Sequence, residues 1–153
     1  MSRTFTLSEA NSRIPDVASV LARTTLLLGR ARAIARQLAD LGVVGTPPGE
    51  LPDLDAVRGR PSLEAHLVQA WMLRRTAFEE AARLERTGVV IRDLERGWIG
   101  FRSVIDGERE VLLSWHLGER EIQHFHPVNG TLIDRRPVTG HRFFRSRQLG
   151  APR

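Results

Sequence analysis

The chain has no cysteine among its 153 residues. Disulfides, thiolate metal centres and cysteine nucleophiles are excluded with it. Lysine is missing too, so all 23 basic residues are arginine, which reads as a compositional bias and not as selection for phosphate forks. No apolar run approaches the ~20 residues needed to span a bilayer. The opening MSRTFTLSEANSR lacks the apolar stretch of an export signal. These absences predict a soluble, cytoplasmic protein without a membrane span. A nucleophile-elbow serine, a P-loop, a dinucleotide fingerprint and a helical zincin motif are also lacking. Hydrolase, kinase and dehydrogenase readings therefore have no support.

What is present suits one domain with a real core: the length is right and 41% of residues are hydrophobic. The net charge of +5 is not spread evenly. Residues 135–153 carry six arginines and no acid, while the other 17 arginines face all 18 acids. Basicity thus belongs to the tail. An Arg-rich tail with Phe143 and Phe144 is able to touch RNA or a membrane surface, but short charged tails are usually solvated, and a nucleic-acid partner is not expected.

Thr6 and Glu9 form a capping-box pattern at FTLSEA, with Phe5 and Ala10 as a hydrophobic staple. Pro15 is expected to interrupt or restart the helix. Val17, Leu21, Thr24, Leu28, Ala31, Ala35 and Leu38 then recur in steps of four and three, one seam of a long amphipathic helix over 16–41 within a helical stretch of about 6–41. Residues 42–61 hold four prolines and four glycines and read as a linker. Ser62 is the expected cap of a second helix, about 62–87, with a matching seam at Leu63, Leu67, Ala70, Ala77, Ala81 and Leu84. Arg74 occupies a stripe position between Ala70 and Ala77, either snorkelling from the seam edge or serving a buried pair or ligand.

After Gly88 the period changes. GWIGFRSVID, EREVLLSWHL and EIQHFHPV read as three strands, with turns at Asp106-Gly107 and Gly118-Glu119. The predicted class is α+β: a long antiparallel helical hairpin packed with a C-terminal three-stranded antiparallel meander over about 89–128. Residues 1–140 form the domain and 141–153 a basic tail.

The chemistry concentrates in SWHLGEREIQHFHPVNG, which holds three of the five histidines. Alternation puts His124 and His126 on one strand face and Phe125 on the other. An H-x-H pair on a strand can present two imidazoles to one metal. With an even loop after His116, Trp115 and Leu113 join the two histidines. An odd loop shifts the register by one and brings His116 there instead. Only the second offers three imidazoles, the ligand count of an open catalytic zinc or iron site. The sequence leaves both registers open. Glu119, Glu121 and Asp134 are the nearby acids, and Arg135 with Arg136 could clamp an anion.

These residues carry a resemblance. Phe5, Thr6, Glu9, Ala10 and Asn11, then Trp115, Leu117, Gly118, Glu119, Ile122, His126, Arg135 and Pro137, resemble the pattern of a bacterial family, domain of unknown function number 2203. The family has an aspartate where this chain has Gly100, a proline at Arg102 and an aspartate at Asn129. Its G-F-A-G is Thr131-Leu132-Ile133-Asp134 here, and His116 and His124 stand at its variable positions. The resemblance implies a divergent member that lost two acids and gained two imidazoles around a shared pocket. It implies a location and no activity.

The expected function is a His-rich pocket on the sheet that binds a metal ion or metallocofactor and carries out small-molecule chemistry. His126 is the anchor ligand and His124 or His116 the second. Glu119 orients an imidazole or acts as base, Arg135 clamps an anion, and Trp115 and Phe125 are apolar walls. Zinc or iron is the expected metal, with axially ligated haem a weaker version. The rival reading is a non-enzymatic helical-hairpin adaptor with structural histidines, self-associating through its helix seams.

Overall fold

The computed structural model describes residues 3–147. Helix α1 spans Leu7–Asp40 and helix α2 spans Pro61–Arg86. Thr6 caps α1 as expected: its Oγ1 accepts from the Glu9 amide at 3.2 Å and donates to the Glu9 carboxylate at 3.1 Å. The helix runs through Pro15 without a break. Proline deletes one amide donor, yet Ile14 and Val17 on either side are buried in the main core and hold the helix there. α2 starts one residue before the expected Ser62 cap. Pro61 fits that first turn because the amide it lacks would have no helical acceptor. At the far end, Gly88 has φ 100°, and a Cβ there would sit 3.0 Å from the Phe5 ring, so both conformation and contact call for glycine.

The two seams face each other. Val17, Leu21, Thr24, Leu28, Ala31 and Leu38 of α1 are buried, as are Leu67, Ala70, Ala77, Ala81 and Leu84 of α2. The hairpin therefore consumes the surfaces proposed for self-association. The linker is less open than expected. Its Leu54–Val57 forms a 3-10 turn, and Val43 and Val57 bury against Leu38 and Leu67 as a small second core.

The sheet is larger than the predicted meander. In chain order the strands are β1 (Val89–Asp93), β2 (Trp98–Ile105), β3 (Arg109–His116), β4 (His124–Pro127), β5 (Arg136–Pro137) and β6 (Phe143–Phe144). They lie in the order β1-β2-β3-β4-β5, all antiparallel, with β6 pairing the end of β2. The expected three strands are β2, β3 and β4. Their first hairpin turns on Asp106 (φ 51°) and Gly107 (φ 78°), as the Asp-Gly pair predicts.

The start of the tail is held to the domain. Phe143 is buried in the main core, and the Arg145 guanidinium meets both Glu9 carboxylate oxygens at 2.9 Å. That bond holds the Glu9 carboxyl below the usual carboxylate range. Residues 148–153 of the expected tail lie outside the described residues.

Candidate functional site

Register decides which side chains meet. Ser114 pairs with His124 and Leu112 with His126, while across β2 His116 pairs with Trp98. This is the odd-loop register, and it puts His116, His124 and His126 on one face with Trp98 and Ser114. Trp115 and Phe125 fall on the opposite face, in the main core with Phe5, Ala10 and Val17 of the N-terminal segment and α1. They cannot wall a pocket on the imidazole side, which corrects the role expected of them. Strand alternation is the reason.

His126 is fully buried. Its Nδ1 lies 2.7 Å from the Pro127 carbonyl oxygen. A carbonyl can only accept, so Nδ1 carries the proton and Nε2 presents a lone pair. That Nε2 is buried without a hydrogen-bond partner, as are His116 Nε2, His124 Nδ1 and Arg135 Nε. Burial is the largest cause that pushes the His126 pKa down, and Arg92 and Arg135 add to it against the Pro127 bond. His116 is lowered by burial and Arg135, with Glu119 and Asp93 opposing. Both rings are therefore neutral at pH 7, the state that ligates metals.

Other residues fix these rings. Trp98 stacks on His116 at 5.6 Å between ring centres and reaches His126 at 5.5 Å, while its indole N–H donates to Ser114 Oγ at 3.0 Å. The Arg92 guanidinium sits 5.2 Å over the Trp98 ring and donates to the Gly130 carbonyl at 2.9 Å. Arg92 belongs to β1 and Gly130 follows β4, with β2 and β3 between them. The chain after β4 must therefore fold back across this face and roof it. Trp98, Ser114 and Arg92 escaped the sequence reading. The Asp106-Gly107 turn was the signal that could have found Trp98, because it sets Trp98 opposite His116.

Glu119 sits otherwise than a general base would. One carboxylate oxygen, Oε1, accepts from the His116 backbone amide and from Arg135, both at 2.9 Å. The Trp115 indole N–H donates to the Glu119 carbonyl at 3.0 Å, closing the same loop. Asn11 completes it from α1, its Oδ1 accepting from the Ile122 amide at 2.8 Å. Trp115, Glu119 and Arg135 thus shape the β3–β4 connection. Arg136 and Glu121 are exposed on the surface.

Sharing a face is not sharing a ligand. His116 and His126 are offset by four residues along β3, about 13 Å of strand. Among the described residues, no three His, Asp or Glu side chains are disposed to hold one ion. The closest sequence neighbours on the face are His124 and His126, two residues apart on β4.

A family model described as "Uncharacterized conserved protein (DUF2203)" matches residues 3–138. The chain belongs to that family. Neither the curated proteins nor the solved structures compared with it gave a match. Within this DUF2203 protein, most residues of the expected pattern have structural work: Phe5 and Ala10 fill the core, Thr6 caps α1, and Asn11, Trp115 and Glu119 bind the β3–β4 loop. His126 is buried and bonded through Nδ1, but its Nε2, like Arg135 Nε, has no partner among the described residues.

Proposed function

We propose that the roofed imidazole face is a metal-dependent small-molecule site. The observation that carries it is His126, buried, neutral, with its tautomer fixed by Pro127 and a lone pair left over at Nε2. A backbone carbonyl on one ring nitrogen is the usual way a protein orients an imidazole whose other nitrogen binds a metal. His124 is the second ligand, because two residues along a strand keep it on the same face. Such a metal, zinc or iron, would supply a Lewis acid there, and Arg135 would steer an anionic substrate toward it with its unpartnered Nε. Haem fits less well, since His126 and its cross-strand neighbour Leu112 are both buried.

The experiment is metal analysis on tag-free protein dialysed against zinc or cobalt(II), with His126→Ala and His124→Ala beside it. The reading expects near-stoichiometric metal in the native protein, lost in His126→Ala while thermal unfolding stays cooperative. Equal metal content in native and His126→Ala protein would overturn it. One observation favours a second reading, a non-enzymatic helical-hairpin protein: no three ligand-type side chains gather among the described residues. Absence of stoichiometric metal selects that reading.

A further inference from the structure

On the flank of α2, away from the sheet, the linker forms an arch. Two bonds pin it: the Trp71 indole N–H donates to the Glu50 carbonyl at 2.8 Å, and Arg74 donates to the Thr46 carbonyl at 2.9 Å. Between the pins, Pro47, Pro48 and Gly49 stand off the helix and enclose a cleft of about 480 Å³, with Trp71, Arg74 and Phe78 among its lining residues. That volume falls within the range of small-molecule sites, roughly 300–1,000 Å³. Phe78 is 50% exposed and Leu51 on the opposite lip 77% exposed. Both are large apolar side chains with nothing to cover them.

Charge says what would. Arg75 pairs with Glu79 at 3.0 Å and lies over the Trp71 ring, so those two charges cancel at the mouth. Arg74 has only its bond to the Thr46 carbonyl, and no carboxylate pairs with it among the described residues. An apolar slot whose half-buried Arg74 is paired with no carboxylate among the described residues suits a ligand with a flat apolar body and one negative charge. Glu50, on the arch and without a cationic partner among the described residues, opposes polyanions such as nucleotides.

We infer that the cleft under the 47–51 arch binds a small aromatic monoanion, its ring between Pro47–Pro48 and Trp71–Phe78 and its acid group on Arg74. The site is separate from the imidazole face and stands or falls without it. It also gives Arg74 the ligand role that its place on the helical stripe leaves open.

Two fluorescent probes test it on the full chain: 8-anilinonaphthalene-1-sulfonate, and N-phenyl-1-naphthylamine, the same ring system without the sulfonate. The sulfonate should bind saturably at one site. Arg74→Gln, which keeps a donor for Thr46, should weaken it about tenfold or more, the scale of a charged hydrogen bond, while the neutral probe shifts less than twofold. Leu51→Asp, at an exposed lip, removes apolar contact and adds a negative charge, so it should weaken both probes and the sulfonate severalfold more than the neutral one, even if Arg74→Gln proves unstable. Phe78→Ala should weaken both probes. Sulfonate affinity unchanged in Arg74→Gln and Leu51→Asp overturns the inference. So does an equal loss of both probes in Arg74→Gln, which would make the charge irrelevant.

Discussion

The two faces of the β2–β3–β4 sheet are built by the same strands and differ in how complete they are. The helix side carries Ile99, Phe101, Val111, Leu113, Trp115 and Phe125, all buried in one apolar core. Its polar atoms are accounted for: Trp115 bonds Glu119, and the Ile122 amide bonds Asn11. The other side is also largely buried, but it leaves four side-chain nitrogens without partners. A buried polar group left unpaired costs about 1–3 kcal/mol, so these nitrogens call for a partner from outside the described fold. In native proteins such groups are met by ordered water, an ion or a ligand, or serve a chemical role. The contrast separates residues that hold the fold from residues the fold must tolerate.

The largest effect should come from breaking the complete face. Trp115→Ala removes a fully buried indole and the bond that closes the β3–β4 loop. A loss of about 3–5 kcal/mol is expected in urea unfolding. Asn11→Ala leaves the Ile122 amide unpaired while sparing the core, and should cost about 1–3 kcal/mol in the same assay.

The sharper test lies on the incomplete face. His126→Leu fills similar space without an unpaired Nε2, so stability should change by less than about 1 kcal/mol or rise, while metal binding disappears. A loss as large as that of Trp115→Ala would mean His126 belongs to the fold after all.

Acid should expose the same asymmetry. His126 and His116 have folded pKa values below the ordinary 6.5. Below pH 6.5 the unfolded chain takes up protons that the folded rings refuse, so stability falls as pH drops toward the folded values and is fully present above 6.5. Urea unfolding between pH 5 and 7.5 should show that slope, and His126→Leu should flatten part of it. The most local effect concerns the roof. Arg92→Ala unpins Gly130, and hydrogen exchange at residues 128–135 should quicken while global stability changes by about 1 kcal/mol.

Much of the fold was legible because seams and turns are local signals. Both helices start and end within a residue of the bounds that caps and seams together set, and the Asp106-Gly107 turn sits where a hairpin needs positive φ. Strands β5 and β6 were not legible, being two residues each and existing only because distant strands pair with them. Pro15 misled because its local cost is outweighed by burial of its neighbours. For the site, alternation correctly paired His124 with His126, but no local rule fixed the register that brought His116 over. Nor could alternation convey the four-residue offset that keeps His116 away from His126. The roof was invisible, since it depends on one arginine reaching across two strands.

The two ends of the described chain come together on β2. The Phe5 amide donates to the Arg102 carbonyl at 2.8 Å, β6 pairs the same strand, and Thr4 and Ser146 hydroxyls lie 3.2 Å apart. Residues 41–60, the turn between the helices, are at the other end of the molecule. A circular permutant that joins residues 3 and 147 through a short glycine linker and opens the chain at Gly45 would keep every strand pairing described above. Reporter domains attached at such new ends would sit beside the arch and far from the roof, so each site could be watched without a label on the other.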